Sequence, residues 1–199
     1  VKADYRLVVD NLMDLTHETF VHPTSIGQTA VAETPITTTM ENGKVKVTRL
    51  MPDIPAPPLF AKLRGLTTID RWQHIYFDLP AHIRIDAGGV PADTKDRARG
   101  LNWMVQNAMT PETERSTHYF WAISRCFEVG DAALSNVIHG QITNIFQEDC
   151  AILEEQQKRI DNDPLRRPLL ATNCDAGGVS ARKMIEQALA KEAQAQPAE

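Results

Sequence analysis

The chain is short of cysteine: its 199 residues include three, Cys126, Cys150 and Cys174. They are spaced too widely for a C-x-x-C metal or redox motif, and their odd number argues against a secreted disulfide scaffold. Nor is there a surplus of positive charge. A formal net charge of −5 argues against nucleic acid or anionic membrane as the main partner, because both reward a basic face. No apolar run approaches the roughly 20 residues that cross a bilayer, and the first residues, with Asp4 and Arg6 among the apolar ones, do not read as a signal peptide. A cytoplasmic protein with reduced thiols is expected. Also missing is the H-E-x-x-H zinc motif: Glu18 follows His17, but Val21 stands where the second histidine would be. Without an internal repeat or a credible boundary, a single domain over 1–199 is expected, long enough to bury its own core.

What is present is an ordinary globular composition, 42% hydrophobic and 24% charged, so the order of local patterns has to set the fold. Asp4 to about Val21 keeps the 3.6 period through Leu7, Val8, Leu12 and Leu15, predicting one helix limited by Pro23. From Ala30 the period changes to two. The β-branched segments Pro35–Met40 and Lys44–Leu50 meet across Asn42-Gly43, a hairpin signature. Four prolines between Pro52 and Pro58 predict an irregular stretch, and a short helix over Leu59–Leu66 ends at Gly65. Strands are expected at Arg71–Asp78 and Ala81–Asp86, then a polar loop from Gly88 to Arg99. A second hairpin pairs Gly100–Met109 with Ser116–Phe127 across Thr110–Glu114. A long helix follows from about Asp131 to Asp161, with an apolar stripe of Leu134, Ile138, Ile142, Ile145 and Ile152. The last helix, about Val179 to Ala193, packs Val179, Met184, Ile185 and Leu189 before an Ala/Gln tail expected to be disordered. The sum is an α+β fold: an antiparallel sheet of about six or seven strands, a long helix across its concave face, and a cavity between them.

The chemistry concentrates between Asp10 and His22. His17, His22, Asp10, Asp14, Glu18 and Asn11 are threaded among Leu12, Met13, Leu15 and Phe20, and polar groups in such company are costly unless something satisfies them. Taken singly, His74, His82, His118 and His139 read as surface or hydrogen-bonded residues. His17 and His22 differ in their surroundings, because two imidazoles and a carboxylate on one face suit non-haem Fe(II). Residues five apart on a regular helix point about 140° away from each other, so the two meet at one metal only if the helix ends or distorts, which Pro23 allows. Asp149 falls on the apolar stripe of the long helix, about three turns of ~3.6 residues beyond Ile138. A carboxylate there must be protonated, paired or bound to a cation; an ion pair with Arg125 or a lysine satisfies it, and so does a metal.

Together with Thr110-Pro-Glu-Thr-Glu114, Phe146-Gln-Glu-Asp149 and Asp175-Ala-Gly-Gly178, the Asp10–His22 stretch closely resembles the catalytic half of the Rieske non-haem iron aromatic oxygenases, and within them the vanillate-type O-demethylases. The resemblance runs over essentially the whole chain, in order. It implies a helix-grip fold with His17, His22 and Asp149 as ligands of a mononuclear Fe(II). It implies that Asp14 bridges an iron-ligating histidine to a Rieske-cluster histidine of a neighbouring subunit in a homotrimer, and that Asn11 is an amide near the metal. Asp14, one turn before His17, can also accept that ring's other N–H. One departure stands out: the C-x-H and C-x-x-H ligands of the family's 2Fe–2S cluster are absent, so the N-terminal Rieske domain is not part of this sequence.

The implied reaction is O2-dependent hydroxylation of the methyl ether of a vanillate-like methoxybenzoate, releasing formaldehyde and the phenol. A ferredoxin or flavin reductase would supply electrons from NAD(P)H, and the chain alone should not turn over. Strand register and proximity to Asp149 suggest Ile85, Asn107, Tyr119, Trp121 and Gly140 as walls of the substrate pocket. The alternatives are methyl-group or ring hydroxylation of another small aromatic acid, a non-catalytic helix-grip module that binds an apolar ligand, and a zinc hydrolase.

Overall fold

Asn42 and Gly43 both take positive φ, 53° and 74°, the mirror-image turn whose twist matches that of paired strands. They join β1 (Thr37–Glu41) to β2 (Lys44–Pro55) with Glu41 opposite Lys44. In the computed structural model, which describes residues 1–195, this hairpin begins an antiparallel meander. β3 (Thr68–Asp78), β4 (His82–Pro91), β5 (Leu101–Thr113) and β6 (Ser116–Arg125) each pair with the strand before, giving one open sheet of six strands in the order β1-β2-β3-β4-β5-β6.

Four strands run further than the sequence pattern predicts, β3 by beginning at Thr68 instead of Arg71. β2 continues through Pro52 because a bulge between Met51 and Ile54 shifts the register there, and Asp53, at φ 53°, has its N–H bonded to Asp70. β4 continues through Gly88-Gly89, read above as the start of a loop. A Cβ on Gly88 would lie 2.5 Å from Trp72 Cζ2 and 2.7 Å from the Leu101 carbonyl, so glycine there marks a close approach inside the sheet. β5 absorbs Thr110–Thr113 through an irregularity at Pro111, leaving Glu114-Arg115 as the turn.

The single N-terminal helix expected over Asp4–Val21 is broken. α1 (Tyr5–Met13) is capped by Asp4, whose carboxylate accepts the Arg6 N–H, and it ends where Asp14 turns extended (φ −118°, ψ 95°). A 3-10 turn (Leu15–His17) and a four-residue α2 (Glu18–Val21) follow, then α3 (Thr29–Glu33), which the sequence reading did not identify. α4 (Pro58–Arg64) ends at Gly65 as expected, and that glycine is left-handed. α5 (Ala132–Asp161) begins at an Asp131 cap and α6 (Ala176–Ala195) closes the described chain. The helix includes Gln194 and Ala195, and the rest of the expected tail, residues 196–199, lies outside the described residues.

α5 buries Ile138, Ile142, Ile145, Phe146, Asp149 and Leu153. Ile152, placed on the stripe above, is 52% exposed. Beyond Asp149 the helix turns from the sheet to the chain leading into α1, where Gln157 accepts the Asp4 N–H and Glu154 the Lys2 N–H, and Leu153 takes the inward place. Leu189 on α6 is likewise exposed, because that helix buries only its first turns, through Gly177, Gly178, Ala181 and Ile185. No described helix is long and apolar enough to cross a membrane.

Candidate metal centre and its cavity

His17 stands on the 3-10 turn and His22 just past the end of α2, where its backbone leaves the α region (φ −119°, ψ 43°). Neither direction is dictated by a continuous helix. The rings lie edge to face with centroids 5.3 Å apart, and both Nε2 atoms converge on one oxygen of Asp149, at 3.3 Å from His17 and 3.1 Å from His22. His22 and Asp149 are 1% and 5% exposed. Asp149 does not pair with Arg125, which instead donates to the carbonyls of Glu128 and Asp131.

The opposite nitrogens are fixed as well. His17 Nδ1 lies 2.6 Å from the Asp14 carbonyl oxygen, and His22 Nδ1 lies 2.6 Å from a Glu148 carboxylate oxygen. A carbonyl or carboxylate oxygen can only accept, so Nδ1 of each ring carries a proton, and the Nε2 proton that a protonated ring donates to Asp149 is the one a metal would displace. Burial opposes protonating either ring, yet the Asp149 carboxylate holds both histidines above the ordinary imidazole range. Burial also opposes ionising Asp149, but the hydrogen bonds from the two rings bring it down to about 2. One donor atom from each residue fits within a group whose members all lie within 4.8 Å of one another. Two imidazole nitrogens and one carboxylate oxygen, with no further histidine, cysteine or carboxylate in the group among the described residues, suit an Fe(II) left open to exogenous ligands.

Residues 1–191 match the family model of the vanillate O-demethylase oxygenase C-terminal domain. The chain belongs to that family. It is 41% identical to a vanillate O-demethylase oxygenase subunit of a Pseudomonas species, an alignment covering 96% of this chain and 61% of that protein. It is 33% identical to the iron–sulfur subunit of a toluene-4-sulfonate monooxygenase system from Comamonas testosteroni, over 96% of this chain and 57% of the relative. The chain thus spans about three fifths of the length of these curated relatives. Among solved structures it superposes on dicamba monooxygenase bound to 3,6-dichlorosalicylic acid with a TM-score of 0.87 at 28% identity, covering 98% of this chain and 58% of that one. A crystal structure of the same enzyme with non-haem iron and dicamba gives 0.75 at 25% identity, over 98% and 57%.

In this domain the metal set borders a mostly apolar cavity that opens to solvent, the kind of lining with a few convergent polar groups that small-molecule sites have. Leu12, Phe60, Ile85, Trp103, Ile142 and Phe146 make much of its wall, with Glu18 and Arg71 as further polar members. Of the five expected wall residues, Ile85 lines it. Asn107 is fully buried but engaged elsewhere, donating to the Ile83 carbonyl and accepting from the Tyr119 hydroxyl at 2.7 Å. Tyr119 and Trp121 pack against Phe146, with centroids 5.6 and 5.2 Å from it, and so back the wall without lining it; burial pushes the Tyr119 phenol well up. Gly140 is exposed, since it lies about 200° around α5 from the inward Ile138.

The acids of the opening stretch divide. Asp10 faces α6 and pairs with Arg182; burial raises it to about 6 against the pull of that arginine. Asp14 is adjacent to the centre, but its carboxylate caps the Thr16 N–H at 2.8 Å and its backbone carbonyl, not its side chain, holds His17. Glu18 is buried and ion-paired to Arg71. Asn11 is half-buried and makes no side-chain hydrogen bond among the described residues. Sequence reasoning missed Glu148 and Arg71. The available signals were an acid adjoining a candidate ligand and a charged residue in the inward-facing row of β3.

Proposed function

We propose that this domain is the catalytic half of an oxygenase component that O-demethylates a small methoxylated aromatic acid of the vanillate type. The observation that carries the reading is the convergence of His17 and His22 Nε2 on Asp149 on the wall of an apolar cavity. Membership of a family named for vanillate O-demethylation supports the substrate class. His17, His22 and Asp149 would hold a mononuclear Fe(II), which supplies dioxygen activation when bound. The chain's own residues set the conditions. The Asp14 carbonyl and the Glu148 carboxylate keep both Nε2 lone pairs free, Asp149 contributes the one negative charge, and Leu12, Ile142 and Phe146 exclude bulk water while seating an aromatic ring.

In the net reaction one oxygen atom enters the ether methyl group and leaves in formaldehyde as the C–O bond of the hemiacetal breaks. The other leaves as water, using two electrons from NAD(P)H and two protons. These electrons would come through a flavin or ferredoxin reductase and a 2Fe–2S Rieske cluster outside this chain, in a cytoplasmic homotrimer where Asp14 links the iron side to a neighbouring subunit's cluster and Asn11 lies nearby. The test joins the full-length oxygenase to a reductase with NADH and a panel of methoxybenzoates. Formaldehyde and phenol are expected in equal amounts, only with O2 present, and His17→Ala, His22→Ala and Asp149→Ala should each abolish iron binding. Turnover without O2, or iron retained in all three variants, would refute the assignment. Methyl-group hydroxylation of another small aromatic acid would show instead as an alcohol without formaldehyde.

A further inference from the structure

Inward positions of β2 and β3 should be apolar, and most are: Val45, Val47 and Met51 on one strand, Ile69, Ile75 and Phe77 on the other are all buried. The same rows also contain Arg49, Arg71 and Gln73, each 1–4% exposed. Arg49 is registered opposite Gln73 and Met51 opposite Arg71, so the three polar side chains form one ladder on the inner face of the sheet. Apart from the Arg49–Gln73 bond within the ladder, their partners lie in the segment that carries the two histidines. Arg49 donates to Thr16 Oγ1 at 2.7 Å, to the Thr34 carbonyl at 3.1 Å and to Gln73 at 3.0 Å. Gln73 donates to the Glu18 carboxylate at 2.9 Å, and Arg71 to the same carboxylate at 2.8 Å and to the Ile26 carbonyl at 2.9 Å.

A buried lattice of two cations, one anion and an amide is a poor way to gain stability, because desolvation offsets most of the attraction and well-packed apolar side chains often do better. What it supplies is direction. It ties residues 16–34 to the sheet at four points that bracket both histidines: the 3-10 turn, α2, the loop after His22 and the end of α3. Gly27 completes the clamp, since a Cβ there would lie 2.1 Å from the Glu18 carbonyl and 2.8 Å from that of His22.

We infer that Glu18, Arg71, Gln73 and Arg49 are positioning residues for the metal centre, holding the broken helix so that the His17 and His22 Nε2 atoms meet at Asp149. The inference rests on these three being the metal ligands. The test measures Fe(II) and Co(II) affinity anaerobically on the full chain, together with the visible absorption of the Co(II) form, which reports ligand geometry. Glu18→Gln keeps the shape and removes the charge, and should weaken binding about tenfold or more and shift the Co(II) bands. Arg49→Lys keeps the charge and removes the fork, and should do the same; it decides the matter by both readouts if Glu18→Gln does not fold. Ile185→Val, a core change on α6, should leave both readouts at wild-type values, separating positioning from general destabilisation. Wild-type affinity and spectrum in folded Glu18→Gln and Arg49→Lys would overturn the inference. A wild-type chain that binds neither metal would overturn the ligand assignment and the inference with it.

Discussion

Truncating Glu148 tests the tautomer argument. In the folded domain its carboxylate accepts the Nδ1–H of a ring that is 1% exposed, at 2.6 Å. Removing it frees the proton to move to Nε2, where it blocks the lone pair a metal needs, or leaves a buried N–H without a partner. Hydrogen bonds to charged groups contribute about 1.5–3 kcal/mol. Glu148 is 44% exposed, so the lower end applies, and about 1.5 kcal/mol corresponds to roughly a tenfold loss of metal affinity. Glu148→Gln retains an acceptor oxygen and should lose no more than about threefold, a difference of under about 0.7 kcal/mol. Anaerobic competition against a chromophoric chelator measures both, with melting temperature recorded alongside to separate the affinity change from the stability lost with the same hydrogen bond, about 1.5 kcal/mol. If Glu148→Ala binds Fe(II) as tightly as the wild type, or Glu148→Gln is damaged as badly as Glu148→Ala, the reasoning is wrong.

The remaining expectations concern protons and the cap residue. Both histidines sit above their ordinary 6.5 in the metal-free domain, so their stabilising contribution is complete below that value and lost as pH rises through the raised ones; Asp149, lowered from 3.8 to about 2, loses its contribution as pH falls between those values. The chelated domain should therefore lose melting temperature as pH rises through neutrality, whereas Fe(II) affinity rises and binding releases up to about two protons, so a chelated melting curve that climbs with pH would contradict the geometry. Asp14→Asn preserves both the cap on Thr16 and the carbonyl under His17, and because asparagine caps as well as aspartate it should hold wild-type iron content while slowing turnover of the full-length oxygenase, as metal analysis beside single-turnover kinetics can establish.

What the sequence revealed depended on whether a residue broke its local pattern. Asn42-Gly43 identified the first hairpin because few other pairs tolerate two positive φ values in a row. Asp149 was conspicuous because a carboxylate on an apolar helix stripe must be explained. Glu148 was not, since an acid on the solvent side of α5 looks ordinary until the fold brings His22 beside it. The ends of β2 and β4 were hidden for opposite reasons: Pro52 looks like a breaker until a bulge accommodates it, and Gly88 gives no hydrophobic signal because Trp72 fills its space. Arg49, Arg71 and Gln73 violate strand alternation in plain sight, but only the register of β2 with β3 shows that the three violations are one structure. The pocket walls failed furthest along, at Gly140 and Asn107, because proximity to Asp149 along α5 and membership of the right strand do not say which way a side chain turns.

His22 and Asp149 are 127 residues apart, and every strand of the sheet lies between them. An ion gripped by both is a clasp joining the first part of the chain to the last. The unfolded polypeptide offers it only the neighbouring pair His17 and His22, because Asp149 comes within reach of them only in the folded arrangement. Closing a ring costs only about 0.6 kcal/mol more for each doubling of its length, so the distance is no obstacle once the strands are in place. Iron capture would then mark the completion of assembly: a chain stalled part-way holds the metal weakly, and a domain stripped of its metal should come apart first along the seam between α2 and α5.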